Sequence, residues 1–188
     1  MTSHYLEFRV LPDPETTPWQ LLGALYDRVH LALVQQKLDS IGVSFPDYCL
    51  DPRALGNRLR LHGPEDTLRQ FLLADWLKGM REHVQLSDVI AAPAGVLHRT
   101  VYRKQFKTNV ERLRRRRMKR KGETVEQSRA AIPWTVERRP DLPWVHLRSR
   151  STGQPFHLFI AMGSPQQQPT AGKFNSHGLS TTTSIPWF

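Results

Sequence analysis

Apolar and polar positions alternate near the start of the chain and then recur at helical spacing. The segment HYLEFRV, from His4 to Val10, alternates with a period of two, which predicts a half-buried strand. Thr17 is followed by a proline and, three residues on, by Gln20, which together predict the first turn of a helix. Leucine, valine and alanine then recur at helical spacing, so we expect this helix to run to about Gln36.

Strand and helix patterns continue in the same order over the next fifty residues. IGVSF (Ile41 to Phe45) and NRLRLHG (Asn57 to Gly63) alternate as strands, a helix is expected to begin at Pro64, and REHVQLSDV (Arg81 to Val89) reads as a further strand. The order strand, helix, strand, strand, helix, strand is typical of the ferredoxin-like arrangement, an antiparallel sheet with both helices on one face. The sequence thus predicts an α+β protein whose residues 1–93 form a ferredoxin-like domain.

A second, less regular α/β domain is predicted for residues 94–188, after the junction AAPAG. It contains an Arg-rich segment, ERLRRRRMKRKG, that we expect to be helical, and a short helix from about Thr124 that ends at Pro133. WVHLRSRS (Trp144 to Ser151) and PFHLFIAM (Pro155 to Met162) flank a turn-forming Thr-Gly-Gln and are expected to pair as a β-hairpin.

Composition narrows the class of protein. Cys49 is the single cysteine, and there is no Cys/His cluster with zinc-ligand spacing, so neither a disulfide nor a structural metal is expected, and no cofactor is implied. The chain has no apolar run of about 18 residues to span a bilayer, and its first residues lack the layout of a secretory signal. We therefore expect a globular cytoplasmic protein that is not bound to a membrane.

The formal charge of +10 is concentrated in one segment. From Arg99 to Lys121 there are twelve Lys/Arg and one acid, so the rest of the chain is close to neutral. Such a cationic surface on a balanced protein is expected of a nucleic-acid binder. An anionic membrane is the alternative, but a membrane-surface helix also needs a broad apolar face, which this segment lacks.

On a helix, five basic residues of this segment project over one broad side: Arg112, Arg115, Arg116, Lys119 and Arg120. Like charges four residues apart oppose an isolated helix, so closely spaced phosphates are its natural partner. A solvated charged surface is the alternative interpretation. The near absence of acids in the segment favours nucleic acid.

Two further positions suggest chemistry. His30 lies at the edge of the apolar stripe of the first helix, and an imidazole, which titrates at about 6.5, suits a general base at neutral pH, although a structural histidine is the alternative. In VHLRSRS, the face that begins with Val145 and Leu147 continues with Ser149 and Ser151, so either the strand leaves the core at a site or it frays into the turn. No G-x-S-x-G motif supports a serine hydrolase.

Several motifs together resemble one family over almost the whole chain. They are HYLEFRVLPDPE, RVHLALVQQ, IGVSFPD, ERLRRRRMKR, LRSRSTGQPFHLFI and the closing GLS and PWF. In this order and spacing they are similar to the CRISPR repeat-processing endoribonuclease of type I-F systems. Each motif is weak alone, and the specificity of the assignment comes from their combination.

The resemblance implies a defined reaction. Members of this family bind one stem-loop of the CRISPR repeat transcript and cut at the 3′ base of the stem without metal, by attack of the RNA's own 2′-hydroxyl, which leaves a 2′,3′-cyclic phosphate. By motif match, His30 is the base and Ser149 positions the ribose. His177, in FNSHGLS, stands where members can carry a tyrosine near the catalytic centre. It is therefore a candidate for a second imidazole, or for a group that only packs or hydrogen bonds there.

RNA contacts carry over from the same resemblance. Arg103 and Gln105 match residues that read bases low in the stem, Phe156 matches an aromatic that stacks on the terminal base pair, and Ser151 fits a backbone contact near the cleavage site. Arg115, Arg116, Lys119 and Arg120 match a helix in the major groove, and Lys107 and Arg112 complete the candidate RNA-binding set. Family members also join the type I-F surveillance complex, so a partner beyond RNA is expected.

Two rival functions fit parts of the sequence. A non-catalytic RNA-binding module would share the charge and the fold, and the roles of His30 and Ser149 distinguish it from an enzyme. A metal-dependent nuclease is disfavoured because the sequence shows no acidic cluster.

Overall fold

The fold is taken from a computed structural model, which describes residues 2–106, 110–136, 141–149 and 153–188. Within these ranges the chain forms four helices and twelve strands. The helices are α1 (Pro18–Gln35), α2 (Glu65–Leu73), α3 (Val110–Lys121) and α4 (Val125–Ala131). The strands are β1 (His4–Val10), β2 (Gly42–Ser44), β3 (Cys49–Leu50), β4 (Arg53–Ala54), β5 (Arg58–Gly63), β6 (Val84–Leu86), β7 (Ile90–Ala91), β8 (Leu97–Arg99), β9 (Val101–Lys104), β10 (Trp144–Arg148), β11 (Pro155–Met162) and β12 (Ile185–Trp187).

The chain divides into two compact units. The main unit comprises the residues up to Lys104 together with Leu142–Phe188, and the helical unit comprises Gln105–Asp141. Among the described strands, every ladder joins two strands that lie on the same side of residue 93. The predicted division into domains at residue 93 stays a prediction.

The principal sheet of the main unit has the strand order β2-β5-β1-β6, and β7 also pairs with β1. All these pairs are antiparallel. Leu6 and Phe8 of β1 are fully buried opposite Leu61 and Leu59 of β5, as the alternation in HYLEFRV predicts. Because α1 and α2 both contact these two central strands, one apolar core joins the sheet and both helices. The architecture is α+β.

Both predicted helix starts in the first half of the chain are confirmed. The Oε1 of Gln20 accepts the backbone N–H of Thr17 at 3.1 Å, so the first turn of α1 is closed by a capping interaction, and Pro18 occupies its first position. α2 begins at Glu65, directly after Pro64. The acidic residues in its first turn suit the positive end of the helix dipole.

The fourth predicted strand is shorter than the sequence indicates. Arg81–His83 forms a 3₁₀ turn, and β6 covers only Val84–Leu86. The ladder stops because the Ser87 hydroxyl accepts the backbone N–H of Glu7 at 2.8 Å, taking the place of a strand carbonyl. Pairing with β1 resumes at β7, so the prediction of one strand from Arg81 to Val89 is wrong in its extent.

The main unit also contains a three-stranded antiparallel sheet of order β10-β11-β9. The predicted hairpin is confirmed as β10 paired with β11. Strands β8, β9 and β12, and the short β3–β4 ladder, were not predicted. Among the described helices, none combines the length and the apolar content that crossing a membrane requires.

The helical unit consists of α3 packed on α4. Thr124 and Gln127 cap α4 reciprocally, as predicted, with N–H to oxygen distances of 2.9 and 3.2 Å. One arginine of α3 is buried: Arg114 donates to the carbonyl of Ile132 at 2.9 Å and lies 4.6 Å from the ring centroid of Trp134. The Arg-rich helix is therefore attached to its unit through one of its own cations.

Candidate active site and nucleic-acid interface

Helix α1 and strand β10 pack against each other at Gly23, and this contact sets where two candidate residues lie. A Cβ atom at Gly23 would be 2.8 Å from the carbonyl oxygen of His146, so the helix approaches the strand backbone at a distance that only glycine permits. His30 lies two turns further along α1, and Ser149 directly follows β10. The crossing thus fixes the two elements from which the proposed base and ribose-positioning group extend.

The His30 imidazole has a defined orientation. Its Nδ1 lies 2.7 Å from the backbone carbonyl oxygen of Ser176. A carbonyl only accepts hydrogen bonds, so Nδ1 carries the proton and Nε2 is the nitrogen able to accept another one. The side chain is half-buried, as expected for the edge of the apolar stripe.

The loop that presents the Ser176 carbonyl is built by Asn175 and Gly178. Asn175 Oδ1 accepts the backbone N–H groups of His177 at 2.9 Å and Leu179 at 3.1 Å. Gly178 has a φ of 69°, and an added Cβ there would overlap Val43, whose N–H donates to the Gly178 carbonyl at 2.8 Å. The loop is thereby attached to β2 of the principal sheet.

His177 stacks on His30. Their ring centroids are 3.8 Å apart and their planes differ by 18°. Burial lowers the pKa of His177 to about 4, and electrostatic interactions with His30 and Arg103 act in the same direction. His177 is therefore neutral near pH 7, and its Nδ1 is buried without a hydrogen-bond partner among the described residues.

Tyr26 contacts His177 through both its hydroxyl and its ring. Its hydroxyl donates to the backbone carbonyl of His177 at 2.8 Å, and its ring is roughly parallel to that of His177 at 6.1 Å. Burial raises the pKa of Tyr26 far above its ordinary value, so the hydroxyl stays a donor at every working pH. It holds the loop that orients His30.

Ser149 marks the point where β10 ends in the hairpin turn. Its backbone N–H donates to the Gln154 carbonyl at 2.8 Å, and its carbonyl accepts from Gly153 at 2.7 Å. The side chain is half-buried. Phe156 pairs with Leu147 across the hairpin, so Ser149 and Phe156 belong to the same end of the same ladder. Ser151 lies outside the described residues.

Arg103 and Phe156 come together on neighbouring strands. The Arg103 guanidinium carbon is 5.8 Å from the ring centroid of Phe156, and the charge of Arg103 also acts on His177. A predicted base-reading group and a predicted stacking group therefore lie next to each other, and Arg103 is close enough to His177 to act on its charge. Gln105 is exposed at the start of the helical unit, and Lys107 lies outside the described residues.

The cations of α3 form two groups, one buried or paired with an acid and one exposed. Arg114 is buried, and Arg117 is half-buried with its Nε 2.6 Å from Glu123 Oε2. Six basic residues are exposed: Arg112, Arg115, Arg116, Lys119, Arg120 and Lys121. Five of these six are the residues assigned to RNA from the sequence, and that assignment stays a prediction.

The main unit has an oriented imidazole on an antiparallel α+β scaffold, and the helical unit has a cationic helix; both features are expected of a nucleic-acid-processing protein. Comparison with known proteins agrees with that class. The family described as CRISPR-associated protein (Cas_Csy4) matches residues 5–188. The chain is 48% identical over 185 residues to the CRISPR-associated endonuclease Cas6/Csy4 of Pseudomonas aeruginosa (strain UCBPP-PA14), covering 98% of this chain and 99% of the relative. It is 42% identical, with the same coverage, to the CRISPR-associated endonuclease Cas6/Csy4 of Escherichia coli (strain UTI89 / UPEC). The chain belongs to the Cas_Csy4 family, and the resemblance seen in its motifs is confirmed.

Sequence reasoning missed the residues that orient the candidate base. The spacing of Tyr26 in α1 is that of an ordinary core residue. Ser176 acts through its backbone carbonyl, and no pattern of side chains reveals such a role. Asn175 and Gly178 carry a usable signal, because Asn followed by Gly three residues later is typical turn chemistry. That signal predicts a turn but not which side chain the turn faces.

Proposed function

We propose that the protein is a metal-independent endoribonuclease that binds the stem-loop of CRISPR repeat RNA and cleaves at the 3′ base of the stem. The products are guide RNAs that end in a 2′,3′-cyclic phosphate. The observation that carries the proposal is the hydrogen bond from His30 Nδ1 to the Ser176 carbonyl, which leaves Nε2 as a proton acceptor. Membership of a family whose relatives are named endonucleases supports it.

In the proposed reaction, His30 Nε2 takes the proton of the 2′-hydroxyl at the cleavage nucleotide. The 2′-oxygen attacks the adjacent phosphorus, the new P–O2′ bond forms, and the P–O5′ bond breaks as the 5′-oxygen takes up a proton from water. His30 Nε2 then gives the proton it took back to water. Ser149 holds the ribose so that the 2′-oxygen is in line with the leaving oxygen. The nucleophile comes from the substrate itself, so the protein needs only to orient it and to move protons.

The proposed RNA contacts come from each unit by itself: the exposed cations of α3 in the helical unit, and Arg103 and Phe156 in the main unit. The cations Arg112, Arg115, Arg116, Lys119 and Arg120 neutralise phosphates along the stem. Gln105 joins Arg103 in reading bases, Phe156 stacks on the terminal pair, and Lys107 and Ser151 contact the backbone. The spacing of exposed cations on α3 supports this assignment.

The proposal extends to the fold and to partners. The strand order β2-β5-β1-β6, with both helices on the central strands, supports a ferredoxin-like domain in residues 1–93 that carries the base. Residues 94–188 then form the RNA-binding domain. After cleavage, the protein keeps its hairpin and becomes a subunit of the type I-F surveillance complex.

One experiment tests substrate, metal use and mechanism together. The protein is incubated with a cognate repeat hairpin in excess chelator, and the new 3′ end is identified by mass spectrometry. We expect cutting at the 3′ base of the stem and a cyclic phosphate. A matched hairpin with a 2′-deoxy group at the cleavage nucleotide should bind and stay intact. Loss of cutting in chelator would indicate a metal-dependent nuclease, and binding without cutting would indicate a non-catalytic module.

A further inference from the structure

The sheet β10-β11-β9 has an exposed face that the proposed cleavage reaction does not use. Alternation along β10 and β11 puts Val145 and Leu158 in the core and turns the intervening side chains outward. Four of these outward side chains carry an aromatic ring and are here called the aromatic platform: Trp144, His146, His157 and Phe159. Trp144 is 44% exposed, and both histidines are exposed. Large aromatic side chains gathered on a solvent-facing sheet indicate a binding surface.

The platform is continuous. The ring of His157 lies 5.5 Å from that of Trp144, 5.2 Å from that of His146 and 6.1 Å from that of Phe159, between ring centroids. Trp144 and Phe159 are 6.0 Å apart. Rings that already contact one another offer adjoining π surfaces, which is how RNA-binding sheets stack successive bases.

The charge around the platform suits a phosphate backbone. Arg148 is exposed on the same side of β10, and the exposed Lys104 pairs with Phe159 across the sheet. At the other end of β10 the platform borders a groove of about 890 Å³, which is also lined by the exposed Trp19, Arg9 and Arg53. Among the described residues that line the groove there is one carboxylate, Asp47, and Arg58 binds it with an Nε–Oδ1 distance of 2.9 Å. Aromatic surfaces edged by cations are typical of single-stranded nucleic-acid sites.

The platform also leads to the proposed cleavage site. Trp144 opens β10 and Ser149 directly follows it, so the proposed ribose contact lies roughly 17 Å along the strand from the first platform residue. Ser149 continues the opposite face of the alternation, so the flank reaches the platform around the end of the hairpin. We propose that the aromatic platform binds the single-stranded RNA that flanks the base of the stem. This inference rests on the proposed function, because it places the flank next to a hairpin held at Ser149.

The test compares hairpins that carry a 2′-deoxy group at the cleavage nucleotide, so that binding is measured without cutting. One hairpin is bare, one has about six unpaired nucleotides on its 3′ side, and one has the same number on its 5′ side. For the wild-type protein, one of the flanked hairpins should bind about tenfold more tightly than the bare one in a mobility-shift titration. The two flanked arms identify which side of the stem the platform holds.

Two substitutions of Trp144 test whether the higher affinity for a flanked hairpin comes from the aromatic platform. Trp144→Ala should abolish the gain and leave affinity for the bare hairpin unchanged, which also shows that the variant is folded. Trp144→Phe, which keeps a stacking ring, should retain most of the gain. Leu73→Ala, at an 86% exposed position on α2, is the matched control and should bind all three hairpins like the wild type.

Three outcomes would overturn the inference. Equal binding of bare and flanked hairpins would mean that the platform contacts no RNA, and an acidic protein surface would be the next candidate. An equal loss with Trp144→Ala on bare and flanked hairpins would mean that Trp144 acts on the fold or the stem. If the wild-type protein fails to bind even the bare hairpin, the proposed function fails as well, so the two failures are distinguishable.

Discussion

His30 is oriented by a backbone carbonyl, and this choice of partner has a chemical consequence. The Ser176 carbonyl accepts from Nδ1 without adding a negative charge beside the imidazole. It therefore fixes the tautomer of His30. The accepting oxygen belongs to the backbone of a loop that is attached to β2. A substitution at Ser176 that preserves the backbone conformation leaves this contact in place, whereas a change to the loop removes it.

Replacing the imidazole is the most direct test at this scale. His30→Ala should lower the cleavage rate by about 10²- to 10⁴-fold and leave hairpin affinity nearly intact, because a general base contributes to the transition state rather than to binding. Single-turnover cleavage and equilibrium binding are measured on the same RNA. Equal losses in both would assign His30 a structural role instead.

The role of His177 can be tested by a substitution that keeps an aromatic ring but removes the ring nitrogens. Because burial holds its pKa at about 4, it carries no charge near neutral pH, and its stacking on His30 is the contact that the substitution must preserve. His177→Phe should keep cleavage close to the wild-type rate, whereas His177→Ala should slow it by about 10²-fold through misplacement of His30. If Phe and Ala are equally slow, an imidazole nitrogen of His177 takes part in the chemistry.

At the scale of elements, the α1–β10 crossing connects packing to the proposed chemistry. Alanine is the better helix former by about 1 kcal/mol, but at Gly23 its Cβ would meet the His146 carbonyl at 2.8 Å. Gly23→Ala should push α1 and β10 apart and slow cleavage by about 10²-fold, because His30 and Ser149 lie on the two displaced elements. Cleavage rate and the free energy of unfolding are measured together.

The neighbouring position supplies the control for this substitution. Ala24 is exposed on α1, so Ala24→Gly should cost about 1 kcal/mol of stability without moving the strand. Its cleavage rate should match that of the wild type well below the unfolding temperature. If Gly23→Ala and Ala24→Gly cleave equally fast, the close approach does not matter for catalysis.

The two groups of cations on α3 make distinct predictions about salt. Arg115 is exposed, whereas Arg117 is paired with Glu123. Arg115→Gln should reduce the slope of log affinity against log salt by about 1, since one phosphate contact is lost. The double change Arg117→Gln and Glu123→Gln, which leaves the net charge unaltered, should keep the wild-type slope. Equal slopes for Arg115→Gln and the wild type would remove Arg115 from the RNA interface.

The elements show which parts of the molecule can be predicted from the sequence. Strand β1, helix α1 and the β10–β11 hairpin were predicted because alternation, capping residues and turn residues are local signals. Strands β8 and β12 pair across more than eighty residues, and no local pattern in either one specifies such a partner. The same limit applies to the candidate site. The position of His30 at the edge of an apolar stripe is visible in the sequence, but its contact with Ser176 joins residues 146 positions apart.

At the scale of the whole molecule, buried neutral histidines connect stability to pH. His62 is fully buried with its Nε2 2.8 Å from Ser44 Oγ, and burial, helped by the charge of Arg60, lowers its pKa to about 3. An unfolded histidine titrates near 6.5, so below that pH the unfolded chain binds a proton that the folded protein does not. The free energy of unfolding therefore has its full value above about pH 6.5 and decreases progressively as pH falls towards 3. His177, whose pKa is lowered to about 4, acts in the same direction.

Urea unfolding at pH 7.5 and pH 4.5 should therefore show a marked loss of stability at the lower pH, in a range where most carboxylates are still ionised. His62→Gln, which keeps a hydrogen-bonding group but cannot titrate, should shrink the difference between the two pH values by about 2 kcal/mol, whatever it does to stability at pH 7.5. Ser44→Ala is the matched control, because it removes the partner of His62 Nε2 but leaves the buried imidazole, and it should retain the wild-type pH dependence. A His62→Gln protein that loses as much stability as the wild type between these pH values would show that His62 does not couple folding to protons, and would move the acid sensitivity to His177 and the candidate active site.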